Sequence, residues 1–287
     1  MFTAGLALPY MGKKTLTLGH SPDADDAFMF YAIANDRIDT KPYSFTHQLL
    51  DIQTLNNKTL KQGLDISAIS LHNYPYIYKY YSILSSGVSM GDNYGPIIVC
   101  NPDNIPTDIS KCTIAVPGLK TTAYLVLRFF IDEPNVVEMP FNRIIESIKN
   151  NEVDAGLVIH EGQITYKEEG LHKLYDLGEW WKSRYNRPLP LGINVIHNRF
   201  PVKEQYVISK ILKKSIAYAL ENPDEALSYA LRFAGELKRA DAKTFIDMYV
   251  NDYTLDYGKN GKEAVKFLLL EAANKGLVPS IPEPVFI

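Results

Sequence analysis

The sequence predicts an α/β protein built as two hinged lobes with a cleft between them. Two observations carry this. Short apolar or β-branched runs alternate with amphipathic stretches from residue 15 to about residue 160, the pattern of βαβ units and parallel sheets. Two extended segments, residues 95–101 (GPIIVCN) and 192–198 (GINVIHN), join the two α/β units, so the chain crosses between them twice. The predicted large lobe takes residues 15–97 and 196–287, and the small lobe residues 98–195. A ligand would sit between the lobes, among loops at the carboxyl ends of the strands.

The elements follow in order. Residues 15–19 (TLTLG) read as a first strand. Ser21-Pro22-Asp23 is turn chemistry, and Asp25 and Asp26 stand at a helix start, where carboxylates suit the positive end of the dipole. YSFTHQLL, from residue 43, is a strand; a polar helix with Leu55, Leu60 and Leu64 at helical spacing precedes a strand at 66–69, ended by Ser70. The tyrosine-rich residues 72–84 (HNYPYIYKYYSIL) read as a helix, packing its rings into core or lining a wet pocket. Residues 112–116 are a strand, Pro117-Gly118 a turn, and a helix begins near Thr121-Thr122. NVVEMP, FNRIIESIKNNEV and DAGLVIH repeat the strand–helix–strand pattern over 135–160. Beyond Val202 the chain is almost entirely helical, with a stop and restart at Asn222-Pro223.

Composition bounds the function. At 46% hydrophobic and 22% charged, the 287 residues hold ample material for a core. A formal net charge of −3 leaves no basic face for nucleic acid. No apolar run nears the roughly 18 residues that span a bilayer. Cys100 and Cys112 show no CxxC spacing and no disulfide framework, which fits a reducing compartment. Residues 1–11 carry no positive segment ahead of their apolar part and read as an extension, with Met11 a candidate start; cytoplasm is the expected location. A homo-oligomer is left open.

Four loops follow strands and converge if the lobes face each other: residues 21–26, 70–74, 118–122 and 160–163. Thr121 and Thr122, after Gly118, either cradle an anion with hydroxyls and helix N–H groups or simply cap the helix. Ser70 has the same two readings. Asp23, Asp25 and Asp26 either bind polyol hydroxyls or serve as plain helix-start acids. His160 ends a strand directly before a turn. Its ordinary pKa near neutrality would make it available as a base, and a structural histidine fits equally well. His20 is its nearest rival. A metal site is not indicated: HExxH fails because position 164 is Ile. Walker A and GxSxG motifs are absent as well.

SPDADDAFMFYAI, AISLHNY, VPGLKTTAYLVL, DAGLVIHEGQITY, DLGEWW and RPLPLGINV occur here in one order with suitable spacings. The set resembles the 1,4-dihydroxy-6-naphthoate synthase family of the futalosine route to menaquinone, over nearly the whole chain from about Leu16. The resemblance implies a two-lobed periplasmic-binding-protein-like (type II) fold, with two hinge crossings and an interlobe cleft. It implies a cytoplasmic carbon–carbon lyase without metal or organic cofactor. Such an enzyme acts on a small-molecule carboxylate, cyclic dehypoxanthine futalosine, and releases 1,4-dihydroxy-6-naphthoate and dihydroxyacetone. By motif, His160 becomes the proton acceptor. Thr121 and Thr122 become substrate-binding residues, as do Ala68, Ile69 and Ser70. The first loop commonly reads SPCPND in the family and SPDADD here, so Asp23 and Asp25 are carried over less directly. Glu161 would orient His160. Two alternatives stand beside this reading: chorismate dehydratase, a sister enzyme on the same fold, and a non-catalytic solute receptor. The IHE and GLKTTA segments weigh against the first, and the lack of an export signal or lipidated cysteine against the second.

Overall fold

The computed structural model describes residues 14–235 and 237–287; the extension read at residues 1–11 lies outside them. Five strands come first: β1 (Lys14–His20), β2 (Tyr43–Leu49), β3 (Ile66–Ser70), β4 (Tyr81–Ile83) and β5 (Ser89–Gly91). Five more build a second sheet: β6 (Ile97–Cys100), β7 (Ile114–Val116), β8 (Val136–Glu138), β9 (Ala155–Val158) and β10 (His172–Asp176). The last, β11 (Leu189–His197), returns to the first sheet. The sheets run β2-β1-β3-β11-β4, with β5 also on β11, and β10-β6-β9-β7-β8.

The predicted parallel sheets are mixed. The β1–β2, β1–β3, β7–β8 and β7–β9 pairs are parallel. β11 runs antiparallel to β3, β4 and β5, and β6 antiparallel to β9 and β10. Both exceptions belong to the crossing segments. A chain that leaves one sheet and enters the other arrives from the opposite end, so it pairs against the local direction. The whole of β11 hydrogen-bonds in the first sheet, so residues 189–195 lie with the large-lobe strands, not with the small lobe predicted at 98–195. An extended apolar run does not state which sheet it joins.

Helices cover these sheets. They are α1 (Ala24–Ala34), α2 (Ile52–Leu60), α3 (Tyr74–Ile77), α4 (Thr122–Phe130), α5 (Phe141–Lys149), α6 (Gly162–Thr165) and α7 (Leu177–Tyr185). The C-terminal set is α8 (Val202–Glu221), α9 (Pro223–Ala230), α10 (Arg239–Tyr249), α11 (Asp252–Leu255) and α12 (Gly258–Asn274). The break between α8 and α9 falls at Asn222, as the following proline requires. One core packs α1 against α8, α9 and α10 through Phe28, Phe30, Ile208, Ile216 and Phe245. Each such side chain, fully buried, contributes about 1.5–3 kcal/mol. A second core runs between the sheets, from Ile69 and Met90 through Val116 to Trp181 and Leu268.

The tyrosine-rich segment departs from the predicted helix. It is a 3₁₀ turn at Leu71–Asn73, the single turn α3, then strand β4. Pro75 suits a first helical turn, and helix α3 ends at Ile77. Tyr74 and Tyr81 are core residues; the Tyr81 hydroxyl donates to the Leu64 carbonyl at 2.8 Å. None of these tyrosines lines the cleft cavity. No described helix is long and apolar enough to cross a membrane.

Candidate active site

The carboxyl ends of β1, β3, β7 and β9 meet around a cavity of about 100 Å³. His160, Asp23 and Asp25 line it. So do Ala68, Ile69, Ser70, Thr121 and Thr122, so these eight residues line one cavity. A wider groove of about 500 Å³ adjoins it at Ile52, Ile159 and His160 and is also lined by Met139 and Phe141.

His160 lies just past β9 with φ +58°, a left-handed conformation that costs a non-glycine residue about 1–2 kcal/mol. That turn aims its ring at the opposite lobe. Nδ1 sits 2.8 Å from Asp23 Oδ2, and the ring meets Phe141 edge-on at 5.1 Å. Asp23 holds the N-cap position of α1, where a carboxylate ordinarily accepts from the helix N–H groups. It makes no such bond. Its carboxylate faces the imidazole instead, so the helix-start reading fails for Asp23.

Charge accounts for the pair. Burial works against the imidazolium, but the charge and hydrogen bond of Asp23, with Glu161 and Asp25 behind it, push His160 up to about 9. Burial likewise raises Asp23, and His160 outweighs it, holding the carboxyl below its ordinary value. The two therefore form an ion pair, and the neutral imidazole expected from the sequence is the minority form at pH 7. Asp25 is pushed well up by burial and by Asp26, Asp23 and Glu161. Burial and these like charges favour its protonated form. Burial also lifts Asp26 to about 6, although it accepts from the Ser21 N–H at 2.7 Å.

Glu161 does not orient His160. Its Oε1 accepts from the Ala24 N–H at 2.9 Å, so it grips the first turn of α1 from across the cleft. Its carboxyl is raised by burial and by Asp23.

On the other wall, Asn56 clamps Ser70. Its Nδ2 donates to Ser70 Oγ at 3.1 Å and its Oδ1 accepts from the Ser70 N–H at 3.0 Å. Thr121 is the α4 cap: Oγ1 accepts from the Tyr124 N–H at 3.2 Å and donates to the Gly118 carbonyl at 2.8 Å. Thr122 Oγ1 donates to the Leu191 carbonyl at 2.6 Å and accepts from the His72 N–H at 3.2 Å. Both threonine hydroxyls are thus engaged by protein. What α4 offers the cavity is backbone: among the described residues, the Thr122 and Ala123 N–H groups have no partner. Gly118 lets this loop approach α2, where a Cβ would strike the Gln53 side chain.

His20, the rival histidine, is structural. Its Nδ1 lies 2.8 Å from the Ser21 carbonyl and its Nε2 2.9 Å from His47 Nδ1, and it stacks on Phe30 at 4.6 Å. Burial and His47 push it down to about 4, so it is neutral. Among the described residues no group of three or more His, Cys, Asp or Glu side chains could hold a metal ion.

Sequence reasoning missed residues that reach the cavity from far along the chain. Ser89 Oγ donates to Asp25 Oδ2 at 3.2 Å. The Gln163 amide lies 2.8 Å from the Tyr249 hydroxyl; with its nitrogen turned to the Gly95 carbonyl, its oxygen accepts from the His160 N–H at 3.2 Å. Asn194 and Phe245 complete the lining. Gln163 and Asn194 lie within DAGLVIHEGQITY and RPLPLGINV, but nothing local gives them a role, and Ser89, Tyr249 and Phe245 lie in none of the quoted segments. Only Gly192, a glycine inside a strand, hints that a ligand passes close to β11.

Residues 16–274 match the protein family described as menaquinone biosynthesis. The chain is 35% identical over 275 residues to a 1,4-dihydroxy-6-naphthoate synthase of Thermus thermophilus, covering 96% of this chain and 100% of that one. A crystal structure of an Archaeoglobus fulgidus protein superposes with TM-score 0.88 at 44% identity, over 92% of this chain and 98% of that one. The periplasmic aliphatic sulphonate binding protein of Escherichia coli superposes with TM-score 0.64 at 11% identity, over 96% and 94%. That last likeness speaks to fold alone: the two lobes have the periplasmic-binding-protein architecture.

Proposed function

The chain belongs to the menaquinone biosynthesis family and is an enzyme, and from that premise we propose that it cleaves cyclic dehypoxanthine futalosine into 1,4-dihydroxy-6-naphthoate and dihydroxyacetone. The observation that carries the reading is the His160–Asp23 pair at the cavity wall. Asp23 holds the Nδ1 proton, which leaves Nε2 to act on the substrate, the division of labour of a histidine–carboxylate dyad. His160 then takes a proton from the substrate and starts carbon–carbon cleavage. Aromatisation of the ring that remains makes the fragmentation downhill without a redox partner. With a pKa of about 9, only about one imidazole in a hundred is neutral at pH 7, but that fraction is a stronger base.

The substrate carboxylate is placed against the Thr122 and Ala123 N–H groups at the head of α4, beside the Ser70 hydroxyl. The sugar-derived end is placed toward the aspartates. The cavity of about 100 Å³ is smaller than the roughly 300 Å³ at the low end of small-molecule sites, so the lobes part to admit substrate. Glu161 to Ala24, His160 to Asp23 and Thr122 to Leu191 are the contacts that re-form on closure and exclude water. The reading puts the enzyme in the cytoplasm, which suits its two free buried cysteines.

The test is incubation of purified protein with cyclic dehypoxanthine futalosine, no cofactor added, and detection of the naphthoate by mass. Wild type should form product and folded His160→Ala should fall by about 10²–10⁴-fold. A folded wild type that forms none contradicts the reading, and chorismate would be tried next.

A further inference from the structure

Seven buried side-chain polar atoms have no hydrogen-bond partner among the described residues. Asn194 Oδ1 is the only one of them on a residue that lines the cleft cavity. Asn194 is 1% exposed, and its other amide atom is spoken for: Nδ2 donates to the Gly87 carbonyl at 2.7 Å. That bond fixes which end of the amide is the nitrogen, so the unpaired atom is an acceptor. A buried amide oxygen without a donor costs about 1–3 kcal/mol. The fold tolerates that at a cavity wall if something arriving there supplies the donor.

Two neighbours on the same wall complete the chemistry. Ser89, on β5, pairs across the sheet with Gly192 of β11 and turns its hydroxyl to Asp25. Asp25 projects from the first turn of α1. The corner therefore offers one free acceptor, one hydroxyl and one carboxyl, and the imidazolium of the cavity, His160, is taken up by Asp23. Such a set suits neutral hydroxyl groups and does not suit a carboxylate. The carboxylate-accepting N–H groups of α4 sit on a different element, with His160 in the same cavity.

We propose that Asn194, with Ser89 and Asp25, forms the subsite that reads the hydroxyls of the sugar-derived portion of the substrate, and that Asn194 Oδ1 accepts from one of them. This rests on the synthase reading above. It gives the cleft a direction: naphthoate carboxylate at α4 and polyol at the β5–β11 corner.

The test compares wild type, Asn194→Ala and Ser89→Ala with cyclic dehypoxanthine futalosine, and measures 1,4-dihydroxy-6-naphthoate binding to each by calorimetry. Asn194→Ala should raise KM for the substrate about tenfold and Ser89→Ala about threefold, as expected for single hydrogen bonds to a neutral group. Naphthoate affinity should change less than twofold in both, since that product lacks the sugar end. Asn194→Ala also loses the Gly87 bond, so Ser89→Ala, which leaves that bond intact, guards against a folding effect. Unchanged KM in both folded variants overturns the proposal and assigns Oδ1 to an internal water. Equal losses for substrate and naphthoate also overturn it, because the residues would then shape the whole cleft. A wild type with no synthase activity contradicts the earlier reading instead, and is seen before any variant is compared.

Discussion

His20 closes β1 and His160 follows β9, and both reach the loop of residues 21–26. Read along the chain they are near twins: a histidine at the end of a buried strand, just before a turn. In the fold they are opposites. His20 is fully buried between a backbone carbonyl, a second histidine and a phenylalanine face, and is pushed down to about 4. His160 is also largely buried, but its neighbours are carboxyls, and it is pushed up to about 9. Burial lowers both, so the difference is the sign of the surrounding charge. The comparison teaches that a strand-end position supplies access to a cleft, while the partner supplies chemistry.

The largest effect that could break this contrast is on turnover. His160→Ala should lower kcat by about 10²–10⁴-fold, and it also removes the buried partner of Asp23. His20→Ala should keep kcat within about threefold and destabilise the fold by about 1–3 kcal/mol, because Ser21 and His47 lose a buried partner. Steady-state kinetics beside thermal melts would show it; a reversed pattern would exchange the two roles.

Next is the partner. Asp23→Asn removes the largest charge raising His160 while keeping a hydrogen-bonding shape. It should lower kcat by about a hundredfold, less than the roughly 10⁴-fold known for the buried aspartate of a serine-protease triad. It should also lower the His160 pKa, readable by NMR titration of the imidazole.

The pair also makes stability depend on pH. The folded-state pKa of His160 is above its unfolded value of 6.5. Its contribution is therefore fully present below pH 6.5 and is lost as pH rises through about 9. Asp23, with a lowered pKa, contributes above its unfolded value of 3.8 and loses that as pH falls. Between pH 6.5 and 9.5 the wild type should lose about 1–3 kcal/mol more than His160→Gln does. Parallel denaturant titrations would sink this if the two curves kept a constant separation.

The smallest effect concerns Glu161. In Glu161→Gln the side-chain carbonyl still accepts from the Ala24 N–H, so the rate should stay within about threefold of wild type. A loss near that of Asp23→Asn would mean that the charge of Glu161, not its grip on α1, matters.

The strand ends that build the cavity were legible because β1, β3, β7 and β9 are β-branched or apolar runs closed by turn residues. All the residues proposed from those ends reach one cavity. Direction was not legible. Asp23 sits where an aspartate normally caps a helix, and only the facing lobe shows that it turns to His160. The sequence fits Thr121 and Thr122 to either an anion cradle or a helix cap; the fold spends their hydroxyls on Gly118 and Leu191. Antiparallel pairing of the crossing strands was hidden as well, since a run such as GINVIHN carries no sign of its neighbour's direction. Gln163, Ser89, Asn194 and Tyr249 come from four separate elements and meet only through tertiary packing.

The central claim is that His160 acts as a base tuned by Asp23, and the pH dependence of kcat/KM between pH 6 and 10 tests it most directly. The account predicts that log kcat/KM of the wild type climbs with unit slope and levels near pH 9, and that the Asp23→Asn profile levels at a distinctly lower pH. A wild-type profile that is flat across this range, or that falls as His160 loses its proton, would contradict it.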